Sequence, residues 1–554
     1  MSSQIEQLEA AIKAAISRAI STGDISGTTP ESITLERPKN REHGDYATSI
    51  ALQLAKVAGK NPREVAQIIL DQLKGADSIS ALEIAGPGFI NITLHRASQA
   101  ELVSTIIKTG KEFGHGSALA GVRINLEFIS ANPTGPLHLG HTRWAAVGDA
   151  LGRVLSAAGA DVTREFYIND RGNQMDLFGA SVEATALGKP IPEDGYKGEY
   201  IVDLATKIVA SNSSITSLPE AERHSAFREA AYALQLKDQQ RVLDSFGTHF
   251  DVWFSERSLH DQGAVEHGVK KLRTQGHVFE VDGATWLRTT DFGDDKDRVL
   301  TKSDGSSTYF SSDTAYYINK RERGFDICIY MLGADHHGYV GRLKATAACA
   351  GDDPEYNIDV LIGQLVKIME GGQEVKLSKR AGTIITLEEL VEKTGVDAAR
   401  YTLIRYPVDT PMVMDIDLLK RNTNENPVYY VQYAHARITA VLRNAAELNI
   451  SADLKAFDPS QLTHDRENEL LGKLAEFPRV VASAAEMRQP HRIARYLEDL
   501  AGTYHGFYAD CRVLPMGEEN ATPLHIARLL LCTSTQVVIA NGLDLLGVSA
   551  PERM

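Results

Sequence analysis

His138 and His141 stand three residues apart in Ala131-Asn132-Pro133-Thr134-Gly135-Pro136-Leu137-His138-Leu139-Gly140-His141. A strand-like stretch, Val122 to Phe128, precedes this segment, and a helical run from Leu137 to about Ala157 follows it. The spacing puts both imidazoles on one face near the helix start. Free backbone N–H groups and the macrodipole favour an anion there. Pro136 suits a first helical turn, which needs no N–H, and Gly140 lets a ligand approach closely. Two imidazoles so placed can donate hydrogen bonds to phosphate oxygens. The plainer alternative is that they only cap the helix.

A second element follows Gly371-Gly372: Lys376-Leu377-Ser378-Lys379-Arg380-Ala381-Gly382. Three cations and a hydroxyl on a glycine-flanked loop can neutralise charge on a triphosphate during displacement. Taken alone, such a loop is solvated surface; with the histidine pair upstream it becomes specific. Carboxylates add a third chemistry. Glu127 closes the strand before the histidines, at the edge where open parallel sheets bind ligands, and Asp313 follows Tyr309 by four. Each acid alone could merely cap a turn or helix. Asp335, His336 and His337 come straight after the apolar run Phe325–Leu332 and suit a ribose or base. Adjacent histidines seldom converge on one metal and no cysteine is near, so no protein-ligated metal is expected.

These residues need a scaffold of some size. The chain has 554 residues, and at about 150 per unit that means three or four. Residues 1–107 read as a small α/β unit, with Ile5, Leu8, Ile12 and Ile16 at helical spacing and Asn61-Pro62 opening a helix. From 121 to 400 strands alternate with helices, which predicts an open parallel α/β sheet. A polar, helical insertion is expected at about 172–280. From about 420 to 554 the pattern is helical throughout, clearest over Pro427–Leu448 and Leu524–Leu546, and predicts a separate bundle. No uninterrupted apolar run reaches the ~18–20 residues of a membrane helix. Glu6 and Glu9 in the first amphipathic stretch argue against a targeting segment. Four scattered cysteines fit a reducing cytoplasm.

Hydrophobic residues at 43% and charged residues at 24% place the chain among globular proteins, but the net charge of −15 speaks against nucleic-acid binding. Residues 421–554 do not rescue it: 13 Lys+Arg stand against 16 Asp+Glu.

The HLGH and KLSKR segments resemble the two signatures of class I aminoacyl-tRNA synthetases, and their surroundings resemble the arginyl-tRNA synthetases of bacterial type. The matching segments are EFISANPTGPLHLGHTR (127–143), YINDRGNQM (167–175), TYFSSD (308–313), GADHHGY (333–339), NENPVYYVQYAHAR (424–437), FYADCRVL (507–514) and APERM (550–554). Leu377 and Arg380 depart from the usual loop signature, whereas both lysines are present. The resemblance implies a Rossmann-like catalytic domain, an N-terminal additional domain that touches the tRNA elbow, and a C-terminal helical anticodon-binding domain. It implies catalytic roles for His138, His141, Lys376 and Lys379. Pro133, Thr134, Gly135, Leu139, Gly140, Gly333, Asp335, His336 and Ser378 would hold ATP, which arrives with Mg²⁺. Glu127, Asn132, Tyr309 and Asp313 would line an arginine pocket; carboxylates suit a guanidinium that stays charged. Tyr429 and Tyr430 would stack on tRNA bases, although Tyr430 and Tyr433 could equally fill the helical core. Arg41, His43 and Tyr46 are candidates for the elbow contact. A monomer with arginine, ATP and tRNA(Arg) as partners, and no membrane, is the expectation.

Two other readings stay open. One is a nucleotidyl transferase acting on a small acid without tRNA, which would not need the helical C-terminal part. The other is a degenerate, regulatory tRNA-binding protein, against which His138, His141, Lys376 and Lys379 speak.

Overall fold

Five short strands form one parallel sheet: β1 (Arg123–Glu127), β2 (Asp161–Ile168), β3 (Val252–Ser255), β4 (Ile327–Gly333) and β5 (Ile358–Gly363), in the order β5-β4-β1-β2-β3. The computed structural model describes residues 4–36, 38, 43–76, 79–94, 96–375 and 385–554. Helices cover both faces of the sheet. Ile124, Leu126, Ile329 and Phe166 are therefore buried, and β4 reads as an apolar run instead of an alternating strand. The chain leaves β1 toward β2 on one side and later returns to β4 on the other. That reversal opens a crevice at the carboxyl ends of β1 and β4.

The helix after β1, α1 (Leu139–Ala157), is buried along almost its whole length. It lies close to the sheet because Gly148 has no side chain: a Cβ there would stand 2.3 Å from the Phe128 ring. Residues 172–280 depart in part from the expected mainly polar and helical insertion. They are helical through α2 (Glu199–Ser211) and α3 (Glu220–Ser245), but Val252–Ser255 then returns to the sheet as its edge strand. Val278–Val281 begins a separate three-stranded antiparallel sheet with Ala284–Leu287 and Arg298–Thr301. Strands of four residues in polar surroundings carry too little period-two pattern to read; tertiary pairing makes them strands. The helix α4 (Tyr309–Glu322) follows, with the Thr308 side chain accepting from the Ser311 N–H at its start.

The N-terminal unit has its own core. Ile12, Ile16, Ile50, Leu54, Ile69, Ile90 and Ile92 meet between the helices Gln4–Ser21, Ile50–Ala58 and Pro62–Leu73 and a three-stranded antiparallel sheet. The C-terminal part is helical, with α5 (Val396–Ile404) leading into α6 (Pro427–Glu447), α7 (Asp465–Glu486), α8 (His491–Asp510) and α9 (Pro523–Leu545). Its core is continuous with that of the parallel-sheet unit. The separateness expected from sequence is therefore one of topology and not of packing. Arg400 on α5 is fully buried and joins the two. It reaches Asp149 of α1 at 2.5 Å, the carbonyls of Phe246 and Gly247, and the Leu546 carbonyl just beyond α9. α9 is long and apolar enough to cross a bilayer by composition, but 67% of its most apolar window is buried inside the bundle. All four cysteines are buried thiols.

Candidate active site

The turn after β1 is strained. Ile129 and Ser130 have φ of 70° and 44°, the left-handed region that non-glycine residues avoid. The Ser130 hydroxyl holds the turn, donating to Glu127 Oε1 at 3.0 Å and accepting from the Tyr167 N–H at 3.2 Å. The loop then runs through Pro133, Thr134 and Gly135 to the histidines.

Both histidines cap α1. His138 Nδ1 accepts from the Gly140 N–H at 3.1 Å, and His141 Nδ1 faces the His138 N–H at 3.4 Å. The rings stack with centroids 4.0 Å apart. A ring nitrogen that accepts an N–H bond carries no proton, so each neutral imidazole has its proton on Nε2, the donor form a phosphate needs. Capping and anion binding are thus compatible, and capping sets the tautomer.

Residues 376–384, with Lys376, Ser378 and Lys379, lie outside the described residues. The chain after them is pinned beside the histidines: the Leu139 N–H donates to the Ile385 carbonyl at 3.1 Å and the Leu387 N–H to the Leu137 carbonyl at 2.9 Å. Before them, the Val375 N–H bonds to the Ile368 carbonyl. The described chain thus resumes at Ile385 alongside the helix start.

Carboxylates crowd the adjoining crevice. Glu127 is buried and pairs with Lys320 Nζ at 2.5 Å; the Lys320 side chain is wholly enclosed between the Tyr316 and Tyr330 rings. Glu165, beside Glu127 in the register, is also buried. Burial would raise its pKa, but Arg323, Lys320 and Tyr316 outweigh that and hold it below the usual range. Asp313 and Glu256 differ. Neither has an ion-pair partner among the described residues. Burial is the main cause that pushes Asp313 up to about 6; a Tyr339 hydroxyl bond opposes this and the Glu127 charge adds to it. Glu256 goes up to about 7, first by burial and then by the charges of Asp313 and Asp170. Arg342 and His336 lower the Asp313 pKa and Arg171 that of Glu256, but these charges do not offset the burial, so both carboxyls stay raised and leave room for one more cation.

The remaining expected residues fall in three places. Asn132 is held by Asn169 at 3.1 Å and Gln174 at 2.5 Å, at the edge of the crevice. Tyr309, 77% exposed, opens α4 one turn before Asp313. Beside it lies a cavity of about 390 Å³ lined by Asp170, Arg171, Arg257 and His260. Gly333 ends β4, and Asp335 and His336 follow it on an exposed turn, 3.6 Å apart. Among the described residues no cluster of His, Cys, Asp or Glu could hold a metal.

Tyr429 and Tyr430 are on α6, in the bundle and not in the crevice. Tyr429 stacks on Tyr433 with planes 7° apart, and Arg437 covers Tyr433. Tyr430 packs on His505 and the core. Tyr46 is 3% exposed, inside the N-terminal core, where it cannot meet a large partner. Arg41 lies outside the described residues.

Family models match three consecutive stretches: an arginyl-tRNA synthetase N-terminal domain at 6–94, a class I (R) tRNA synthetase catalytic domain at 103–437, and a DALR anticodon-binding domain at 431–554. The chain belongs to the arginyl-tRNA synthetases. An arginine–tRNA ligase of Frankia alni is 55% identical over 98% of this chain and 99% of its own length. One from Pseudarthrobacter chlorophenolicus is 54% identical over 99% of this chain and 100% of its own. The Thermus thermophilus arginyl-tRNA synthetase shares the fold, with a TM-score of 0.77 over 99% of this chain and 100% of that one at 22% identity.

Within this synthetase, three residues near the crevice escaped the sequence reading. Glu256 follows β3, and an acid at a strand's carboxyl end was a usable signal, but that strand lay in a stretch read as helical. Lys320 and Gln239 sit on helices whose polar residues look like solvated faces.

Proposed function

We propose that this chain joins arginine to tRNA in two steps. The arginine carboxylate attacks the α-phosphorus of MgATP, forming arginyl-adenylate and releasing pyrophosphate. A terminal ribose hydroxyl of tRNA(Arg) then attacks the acyl carbon and releases AMP. No protein nucleophile takes part; the protein positions the reactants and stabilises phosphate charge.

The observation that carries the reading is the unpaired carboxyl couple, Asp313 and Glu256. Glu127 and Asp149 each have a buried cation, and Glu165 a half-buried one. Asp313 and Glu256 lack one, so they receive the guanidinium, with Tyr309 and Asn132 bounding the pocket and the neutralised Glu127 at its floor. The Nε2–H groups of His138 and His141 and the lysines Lys376 and Lys379 meet the triphosphate. Pro133, Thr134, Gly135, Leu139, Gly140 and Ser378 shape its seat. Gly333, Asp335 and His336 take the adenosine at the neighbouring strand end. Tyr429, with Tyr433 and Arg437, offers a stacking face for an unpaired anticodon base; Tyr430 supports it from the core side. The enzyme works as a monomer in the cytoplasm, where its four buried thiols stay reduced.

ATP–pyrophosphate exchange with each of the twenty amino acids, with and without tRNA, tests this. Exchange that depends on arginine alone is expected. Exchange with another amino acid, or none with any, overturns the assignment.

A further inference from the structure

The helical insertion carries no residue of the two signatures, yet its side chains hold the loop that does. Pro133 and Pro136 remove two backbone donors from the segment 132–136. Among the described residues, the carbonyls of Asn132, Thr134 and Gly135 accept no backbone hydrogen bond. All three are taken by the insertion. Gln239 of α3, 1% exposed, points its Nε2 at the Asn132 carbonyl (3.1 Å) and the Gly135 carbonyl (2.8 Å). Tyr200 of α2 donates its hydroxyl to the Thr134 carbonyl at 3.2 Å. Burial pushes the Tyr200 phenol well above its ordinary range, so it remains a donor. The Gln239 amide can face only one way. Reversed, its oxygen would oppose two carbonyl oxygens; as placed, its Oε1 is buried without a partner. A buried polar atom left unpaired for the sake of two loop carbonyls marks a position where the loop contact dominates.

We propose that Gln239 is a positioning residue for adenylate formation, with Tyr200 as its auxiliary: from the insertion they fix the backbone that leads into the histidine pair. The inference rests on the proposed role of that loop in holding ATP. A loop bounded by two prolines and a strained turn has few backbone bonds of its own. Loosening it shifts the histidine pair relative to the triphosphate without touching the arginine carboxylates.

The test is arginine-dependent ATP–pyrophosphate exchange, with tRNA present, on three full-length variants. Gln239→Met keeps the volume and removes both donors. It should lower kcat roughly 10- to 100-fold, the scale of a small misplacement of reacting groups, with the arginine KM within about twofold. Tyr200→Phe removes one neutral hydrogen bond and should cost roughly 2- to 10-fold in kcat. Gln239→Glu supplies the signature that a packing role would not give. Its ionised form repels both carbonyls, whereas its protonated form can donate to one, and burial raises its pKa. Its kcat relative to Gln239→Met should therefore rise as pH is lowered. A wild-type kcat in Gln239→Met, or a Gln239→Glu to Gln239→Met ratio flat with pH, overturns the proposal. If Gln239→Met does not fold, Tyr200→Phe and the Gln239→Glu profile decide it. An inactive wild-type protein would instead refute the proposed function.

Discussion

Arginine binding should release protons, and Glu256 should govern the release. In the empty pocket Glu256 titrates at about 7 and Asp313 at about 6, because burial opposes charge on both. The Asp313 and Asp170 charges add to this at Glu256 and the Glu127 charge at Asp313, and Arg171 on the one side and Arg342 and His336 on the other only partly offset it. A guanidinium between them favours the ionised forms. The sign follows directly. Arginine affinity is fully present above the empty-pocket pKa values and is lost as pH falls through them. At pH 8 both carboxyls are mostly ionised. At pH 6 Glu256 is protonated about ten to one and Asp313 about one to one, so Kd should rise about 10- to 20-fold, at about 1.4 kcal/mol per unit. The same shift acts on stability with opposite consequence. A carboxyl whose folded pKa is raised destabilises the empty protein as pH climbs past its unfolded value. Glu256→Gln should therefore stabilise the unliganded protein above pH 7, by on the order of 2–3 kcal/mol, while weakening arginine binding. Calorimetric titration of arginine at pH 6, 7 and 8, in buffers of different ionisation enthalpy, measures affinity and proton release together. Equal affinity at pH 6 and 8 with no proton released would refute the pocket assignment. So would a Glu256→Gln variant with the same pH dependence as the parent.

Three further outcomes are expected. Lys320→Met leaves Glu127 buried without its cation and should cost about 3–5 kcal/mol in denaturant unfolding; Glu127→Gln in the same chain should restore much of it, and no restoration would mean the pair is not the cause. Arg400→Lys cannot reach Asp149 and three carbonyls at once, so it should loosen the C-terminal bundle from α1; limited proteolysis between α5 and α6 should rise while α1 stays protected. Tyr429→Ala should weaken tRNA binding by about 1–3 kcal/mol with arginine affinity unchanged. In the parent protein log Kd should follow log salt with a slope of about 0.7–0.9 per phosphate contact.

The fold was legible wherever one face of an element is uniformly apolar. β4 and β5 announce themselves as apolar runs, and β1 as an alternation of apolar and polar residues. α6 and α9 each carry proline at the first turn, and their starts were read to within a residue. β3 was missed because Val252–Ser255 is an edge strand of four residues beginning soon after a 26-residue polar helix. Local pattern cannot report a pairing that exists only because β2 lies alongside. The crevice was legible in part for a related reason. Glu127 and Gly333 end strands that the sequence reveals, and His138 caps the helix that follows the first of them, so their placement follows from sheet topology. Glu256 belongs to the strand it does not reveal.

Lys320 and Gln239 show a different limit. Each is a polar residue on a helix with polar neighbours, and in the sequence each looks solvated. Their burial comes from distant chain: Glu127 lies 193 residues before Lys320, and Asn132 107 before Gln239. Buried polar groups cost free energy unless paired. Each such residue therefore reports a partner that needs it, and the partners here are a strand-end carboxylate and the loop before the histidines. The net charge of −15 misleads for the same reason. Many of the acids face internal cations, and what remains for ligands is decided by which few are unpaired. Among the described residues at the crevice, Asp313 and Glu256 have no ion-pair partner, and under the proposed function an arginine side chain is the cation that completes them.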